Sequence, residues 1–345
     1  MNRKDLVSLL ELVKPALADT NLVPVFTCFA FNQKTVSAYN DVLGIVANCD
    51  IGDHPFAVNG NTLIGLLQHS QAEEVEFQVG NEDVAISTGR SDFKLPYFNE
   101  TEFLFEEPED ATTASIKLSK GLTNCIEICR TTSSSDSSAP ALMGVCFNFT
   151  NRSLYSCDGD SITKAMPDLM KGGGIFTAPN SFCDTVLKIC AETDTYEGEL
   201  LFSEGWAVAN VRSGFTIYGR LIENNNLLDH QKEIDDTLKG LKFDYVDLPM
   251  GFNSALSRAR VVADAESAKT TLTVKKGKLK LHTQTHMGVV KDELSMRGHE
   301  DVEANVHASL VQRSIAICDK MAILEGCTTY ALGTHVLQIV GNIGE

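Results

Sequence analysis

Apolar residues recur at helical spacing in three separated stretches. They are Leu6, Leu9, Leu10, Val13 and Leu17, then Leu122, Cys125, Ile126 and Cys129, then Phe252, Leu256, Ala259 and Val262. Each stretch leads into segments that alternate apolar and polar residues, as strands do. A second helical pattern follows each time, at Asn59-Gly-Asn-Thr-Leu-Ile-Gly-Leu-Leu, Asn180-Ser-Phe-Cys-Asp-Thr-Val-Leu and His307-Ala-Ser-Leu-Val-Gln-Arg-Ser-Ile. Asn or Ser near each start suits an N-cap. These second helices begin 121 and then 127 residues apart, and the first helices, from Lys4, Lys120 and Gly251, begin 116 and then 131 apart. Two series with nearly the same period mean copies of a whole domain.

Each copy ends in strand, tight polar turn and strand: Val75–Val79 with Val84–Ser87, Glu199–Phe202 with Trp206–Val211, and Thr329–Leu332 with Val336–Val340. The acidic Glu106–Asp110 and the polar Asn224–Lys232 read as linkers on composition. Domains over 1–107, 113–223 and 240–345 follow. Two helices packed on a mostly antiparallel sheet in each domain define an α+β class.

The composition agrees with folded domains. The 345 residues are 43% hydrophobic and 22% charged, which excludes disorder, collagen and coiled coil. Asp5, Glu11 and Lys14 interrupt the apolar N-terminal stretch, so it reads as a surface helix and not a signal peptide. No run of 18 apolar residues points to a membrane helix. Ten dispersed cysteines without a CxxC fit a reducing cytoplasm, and the sequons at Asn99, Asn148 and Asn151 are then chance matches.

Candidate chemistry is sparse. His282 and His286 have the spacing of a helical metal pair, but Lys278–His286 alternates like a strand, which puts the two about 13 Å apart. Asp158-Gly-Asp160 reads as a turn because the other ligands of a calcium loop are missing. Lys171-Gly-Gly-Gly174 lacks the order of a phosphate loop and reads as a flexible connection, and Thr131–Ser138 as a mobile polar loop. Cys125, Cys129, Cys183 and Cys190 fall on apolar helix faces, where thiols pack as small hydrophobes. With no nucleophile, base or metal set in view, the chain reads as a non-enzyme without cofactor or metal.

Charge supplies the remaining signal. The chain carries −17, yet the six helical segments together carry +5, which leaves −22 for strands and loops. A mildly basic helical layer opposed to an acidic exterior suits a polyanion held through phosphates and not read by sequence.

Several segments resemble the bacterial DNA polymerase III beta sliding clamp family. Ser87-Thr-Gly-Arg-Ser-Asp-Phe-Lys-Leu-Pro96 is similar to the family's Ser-Gly-Arg-Ser stretch leading into an edge strand. Gly144–Phe149 followed by Leu154-Tyr-Ser-Cys-Asp-Gly-Asp-Ser-Ile162 resembles the strand pair ending in Thr-Asp-Gly-His-Arg-Leu, and Ala178-Pro-Asn opens a helix as Val-Pro-Arg does there. The order and spacing match over nearly the whole chain.

The resemblance implies three tandem clamp domains and a head-to-tail homodimer whose ring encircles duplex DNA. A processivity factor of that kind tethers the replicative DNA polymerase and needs a clamp loader. By position, Phe93 and Leu95 would meet Val261 and Val262 of the other subunit at the dimer interface. Arg3, Lys4, Lys14, Lys117, Lys120, Arg130, Lys188, Arg258, Arg260, Arg313 and Lys320 would face the DNA. The partner cleft would include Leu142, Cys157, Asp158, Gly159, Asp160, Ser161 and Ile162.

Asp160-Ser161 replaces the family's His-Arg, and the stop after Gly341–Glu345 implies a shorter cleft wall, so partner motifs should differ. Such divergence fits a phage or plasmid replication system, active in the host cytoplasm. Two alternatives stay open: a clamp-derived regulator or decoy that no longer loads on DNA, and an enzyme whose site is assembled from distant residues.

Overall fold

The computed structural model describes residues 1–20, 22–51, 55–80, 82–89, 91–98, 105, 107–108, 112–223, 244–263 and 269–341. The linker expected at Asn224–Lys232 and most of that at Glu106–Asp110 lie outside the described residues, as does Arg90. The described helices are α1 (Arg3–Val13), α2 (Gly60–His69), α3 (Lys120–Arg130), α4 (Asn180–Glu192), α5 (Phe252–Val262) and α6 (Ala308–Ile315). Strands β1–β8 are Cys28–Asn32, Thr35–Tyr39, Leu43–Asn48, Phe56–Asn59, Glu76–Val79, Asp83–Thr88, Ser91–Phe98 and Ala114–Leu118. Strands β9–β16 are Gly144–Asn148, Ser153–Cys157, Ser161–Ala165, Met170–Gly172, Ile175–Pro179, Gly198–Phe202, Trp206–Val211 and Phe215–Arg220. Strands β17–β24 are Val246–Asp247, Lys269–Lys275, Lys278–Thr285, Gly288–Ser295, Val302–His307, Lys320–Ile323, Cys327–Leu332 and Val336–Gly341. The class is α+β.

The chain divides into two compact units: Met1–Thr123 with Leu169–Ile222, and Asn124–Asp168 with Glu223–Glu345. Both combine parts of two sequence repeats, because strands of neighbouring repeats pair directly.

In the first unit one antiparallel sheet of twelve strands runs β12-β8-β14-β15-β16-β3-β2-β1-β4-β7-β6-β5. Its middle seam pairs β16 with β3, Phe215↔Ala47 through Gly219↔Leu43. Helix α1 starts at Asn2, whose side chain accepts from the Lys4 and Asp5 amides, and it buries Leu6, Leu10 and Val13. Asn59 caps α2 through the Thr62 amide, as its position predicts. The caps expected at Asn180 and near His307 do not form, since the N-cap positions of α4 and α6 carry no side-chain cap bond.

The predicted hairpins are present: Val79↔Val84, Phe202↔Ala207 and Leu332↔Val336 close them. Two loop expectations are overturned. Met170–Gly172 is a strand paired with β8, not a flexible connection. Gly172 has φ +94° and a Cβ there would meet the Thr113 carbonyl oxygen at 2.5 Å, so this close approach requires glycine. The Thr131–Ser138 stretch is not a mobile polar loop throughout, because Thr132 and Ser134 are buried.

In the second unit the larger sheet includes β9-β10-β11-β24-β23-β22-β17 in that order. Its seam pairs β11 with β24, Ser161↔Val340 through Ala165↔Val336. Thr132 Oγ1 donates to Thr163 Oγ1 at 2.7 Å and lies 2.6 Å from Ser156 Oγ, which donates to the Cys129 carbonyl. Gln338 Nε2 donates to Thr163 Oγ1 at 3.0 Å, so the seam is locked by buried side chains as well as backbone. The smaller sheet runs β20-β19-β18-β21. Helix α5 buries Phe252, Ala255, Leu256 and Ala259 in a core with Leu272, Leu279, Leu281 and Val306.

Thr132→Val removes the hydroxyl that joins Ser156 to Thr163 and leaves buried polar partners unpaired, a cost of about 1–3 kcal/mol. The urea midpoint of the variant should fall accordingly, while exposed Ser135→Ala should leave it within about 0.5 kcal/mol of the parent.

Candidate nucleic-acid interface and protein contact sites

The eleven cations expected to face DNA separate into several structural roles. Lys117 lies on β8 and Lys320 on β22, not on helices, because α3 begins at Lys120 and α6 ends at Ile315. Arg3 Nε and Nη1 donate to the Ala72 and Leu67 carbonyls at 2.7 and 2.8 Å, which caps the C-terminal end of α2. Lys14 pairs with Glu11 at 3.8 Å, and Lys188 donates to the Glu11 carbonyl at 3.1 Å. Lys120 sits 5.7 Å from the ring centroid of Tyr196, and Arg130 bonds to Ser133. Lys4 is exposed on α1.

On α5, Arg258 grips Asp292 with both Nε (3.1 Å) and Nη2 (2.7 Å), and Arg260 Nη1 donates to Gln312 Oε1 at 2.6 Å. A carboxylate orients the first of these exposed cations and an amide the second. The expected division into basic helices and acidic strands does not hold in the second unit. There Lys269–Ser295, a strand-rich segment, has six lysines against Asp292 and Glu293.

The turn between β10 and β11 gathers the cleft residues. Leu142, in a short 3-10 turn, packs with Cys157 against Cys146 and Tyr155. Asp158 Oδ1 accepts from the Asp160 and Ser161 amides and from Ser161 Oγ, at 3.2, 2.8 and 2.9 Å. Gly159 bends the turn at φ +98°. Asp160 offers its carbonyl to the Gly341 amide at 2.8 Å, and Ile162 pairs with Ile339, so β24 borders the turn. The shorter cleft wall expected past Gly341 falls on 342–345, outside the described residues.

Arg313, assigned from sequence to the DNA side, reaches this turn instead. Its Nη2 donates to Asp158 Oδ2 at 2.7 Å and also to Ser161 Oγ. The Arg313 and Asp158 side chains are only 29% and 17% exposed, so the pair is shielded from water. The amphipathic pattern of α6 gives a direction for Arg313 but not the length of its reach.

The third surface concerns Phe93, Leu95, Val261 and Val262. Strand β7 was expected at a sheet edge, but it has neighbours on both sides: β6 along Ser91–Pro96, and β4 at Tyr97 and Phe98. Among the described residues, Ser91–Pro96 pair on one side only, so the first part of β7 keeps an open edge. Leu95 is buried, and Phe93 is half-buried in a groove of about 970 Å³ lined also by Asn61, Leu66, His69 and Ala72. Val261 is 79% exposed at the end of α5, and the Val262 carbonyl accepts from Thr285 Oγ1. Met287, 66% exposed, follows Thr285 in the turn beside Val262 and was missed by the sequence reading, whereas Val289, 52% exposed, shares the opposite sheet face with Lys291.

Burial raises seven thiols, those of Cys28, Cys49, Cys125, Cys157, Cys190, Cys318 and Cys327, which disfavours the nucleophilic thiolate at each. Burial pushes Cys28, Cys49, Cys125 and Cys190 up to about 11 and Cys318 up to about 12. Burial also raises Cys157, with Asp158 and Asp160 adding to it and the Gly159 amide opposing. Among the described residues no group of three or more metal-ligating side chains converges, and no helix is long and apolar enough to cross a membrane.

Two open sheets fused from neighbouring repeats, each carrying helices, form the fold of DNA sliding clamps. Solved structures with this fold cover all of the chain. The DNA polymerase III beta subunit of Thermotoga maritima matches with a TM-score of 0.85 over 98% of its own length at 16% identity. The griselimycin-bound sliding clamp of Bartonella birtlesii gives 0.87, 99% and 16%, and the Helicobacter pylori beta clamp bound to a DNA ligase peptide gives 0.83, 99% and 15%. No family model matches the sequence, and no curated protein matches it by sequence.

Two measurements check this description. The double-mutant cycle of Asp158→Ala and Arg313→Met should give a coupling of about 1–3 kcal/mol in urea unfolding, as expected for a largely buried pair with some solvent access. The raised thiols favour the folded state below the ordinary thiol value of 9.0 and lose that contribution as pH climbs toward about 11. The urea midpoint should therefore decline between pH 9 and 11.

Proposed function

We propose that the chain is a non-enzymatic DNA sliding clamp, built from three repeats at 1–107, 113–223 and 240–345. Two copies joined head to tail would close a ring around duplex DNA and hold a polymerase near its primer end, a gain in effective concentration without new chemistry. The observation that carries this reading is the clamp fold over the full chain, matched over 98–99% of each compared structure. A reducing cytoplasm fits its ten free cysteines.

The joint would bring the open part of β7 and the groove around Phe93 against Val261, Val262 and Met287 of a second copy. An open strand edge and an exposed apolar patch are both liabilities unless a partner covers them. Lys4, Lys14, Lys120, Lys188, Arg258 and Arg260 are the exposed helical cations assigned to the DNA. The β10–β11 turn would receive partner peptides, and the bridge from Arg313 to Asp158 would set which peptides fit.

Sedimentation and loader-dependent retention on nicked circular DNA test the proposal together. The parent should sediment as a dimer, be retained on the circle, and slide off when the circle is cut. Val261→Asp combined with Met287→Asp should yield monomers and abolish retention. A parent that stays monomeric, or that remains on cut DNA as well as on the circle, would overturn the ring.

A further inference from the structure

The outward face of the four-stranded sheet in the second unit has no place in the account above. Leu272, Val274, Leu279 and Leu281 point into the core, so alternation turns Lys269, Lys275, Lys278 and Lys280 outward. Lys291 on β20 is also exposed and is paired in register with His282, while Lys276 lies in the β18–β19 turn. Lys275 and Lys278 face each other across the two strands. Strand geometry spaces such positions about 5 Å apart across the sheet and about 7 Å apart along it.

Little of this charge is neutralised. Glu293 engages Lys278 at 2.5 Å and Lys280 at 3.7 Å, and Asp292 turns to the opposite side to bind Arg258. Glu303 accepts from Thr273, and Asp301 accepts from the Lys276 backbone amide. Among the described residues, Lys269, Lys275, Lys276 and Lys291 have no carboxylate partner. A cluster of free cations in a chain of net charge −17 stands against the overall field of the protein.

The residue types narrow the ligand. Lys269–Ser295 contains six lysines, no arginine and no Phe, Tyr or Trp. Arginine is the side chain suited to bidentate carboxylate recognition, whereas lysine is a point charge on a flexible stem. Beyond the imidazole of His282 the segment lacks the larger Phe, Tyr or Trp rings on which unstacked bases stack. We propose that this face binds the phosphate backbone of duplex DNA without reading its sequence, as a second contact separate from the helices. The inference uses the second unit alone and stands whether or not two copies close a ring.

The test is filter binding of the full-length protein to a covalently closed duplex circle without a loader, from 50 to 200 mM salt. A closed ring cannot thread such a circle, so its helices are out of reach. Four phosphate contacts predict a slope of log K against log salt of about −3.6, or roughly 10²-fold weaker binding across that range. Replacing Lys269, Lys275, Lys276 and Lys291 together by Gln should weaken binding at 50 mM at least about tenfold and flatten the slope. The matching four-arginine variant should retain binding, and the unfolding midpoint of the Gln variant should match the parent.

Unchanged binding by the folded Gln variant, or no binding by the parent at 50 mM, would overturn the proposal. Polyglutamate that competes as well as DNA at equal charge would assign the face to an acidic polypeptide instead.

Discussion

A sheet edge leaves a row of backbone N–H and C=O groups without partners, and each two-layer repeat of this chain has two such edges. The molecule settles most of that demand by pairing repeats with each other. β16 joins β3 over five residue pairs, and β11 joins β24 over five more. These seams make the sheets longer than any one repeat could supply, and they explain why the compact units do not coincide with the repeats. Everything placed near a seam inherits its rigidity. The turn at Asp158–Asp160 is held because β11 begins beside it and Gly341 of β24 donates to it.

Side chains at the two seams show how specific the joining is. Around β11 and β24 the contacts are polar and buried: Thr132, Ser156, Thr163 and Gln338 exchange hydrogen bonds in a space that would otherwise be apolar. Such a network penalises any slipped register, since a shift by one residue would turn Gln338 to the other face. Beside β3 and β16, Arg220 Nη2 donates to Tyr39 Oη at 3.0 Å and pairs with Asp41 at 3.2 Å. That pair is exposed, so the backbone ladder does most of the joining there.

Much of this architecture was legible from residues alone. Hairpins such as Val75–Ser87 and helices such as Leu6–Val13 declare themselves through period and turn chemistry within one segment. What stayed hidden depends on a neighbour distant in sequence. Nothing in Thr131–Ser138 reveals that Thr132 is covered by β10 and β11, and nothing in Lys171–Gly174 reveals that Gly172 lies against Thr113. The two-sided pairing of β7 was missed for the same reason. Lys117 and Lys320 went astray because charge counting extended helices past their ends into adjoining strands. Arg313 shows a further limit, in that periodicity gives the direction of a side chain and says nothing of a reach across to Asp158.

The distribution of cations has a physical consequence beyond their number. A ring threaded on DNA keeps its place by topology, so cations facing the duplex need only weak, exchangeable contacts, and tight ones would impede sliding. Arg258 and Arg260 fit that requirement, because Asp292 and Gln312 already share their hydrogen-bonding capacity and leave mainly a diffuse charge toward solvent. Among the described residues, Lys269, Lys275, Lys276 and Lys291 have no such internal partners, so each could give its full charge to one phosphate. Contacts of the first kind permit motion along DNA, and contacts of the second kind resist it. In the proposed clamp, the two kinds on opposite faces of one sheet-and-helix layer would let the same unit slide on one DNA segment while holding another.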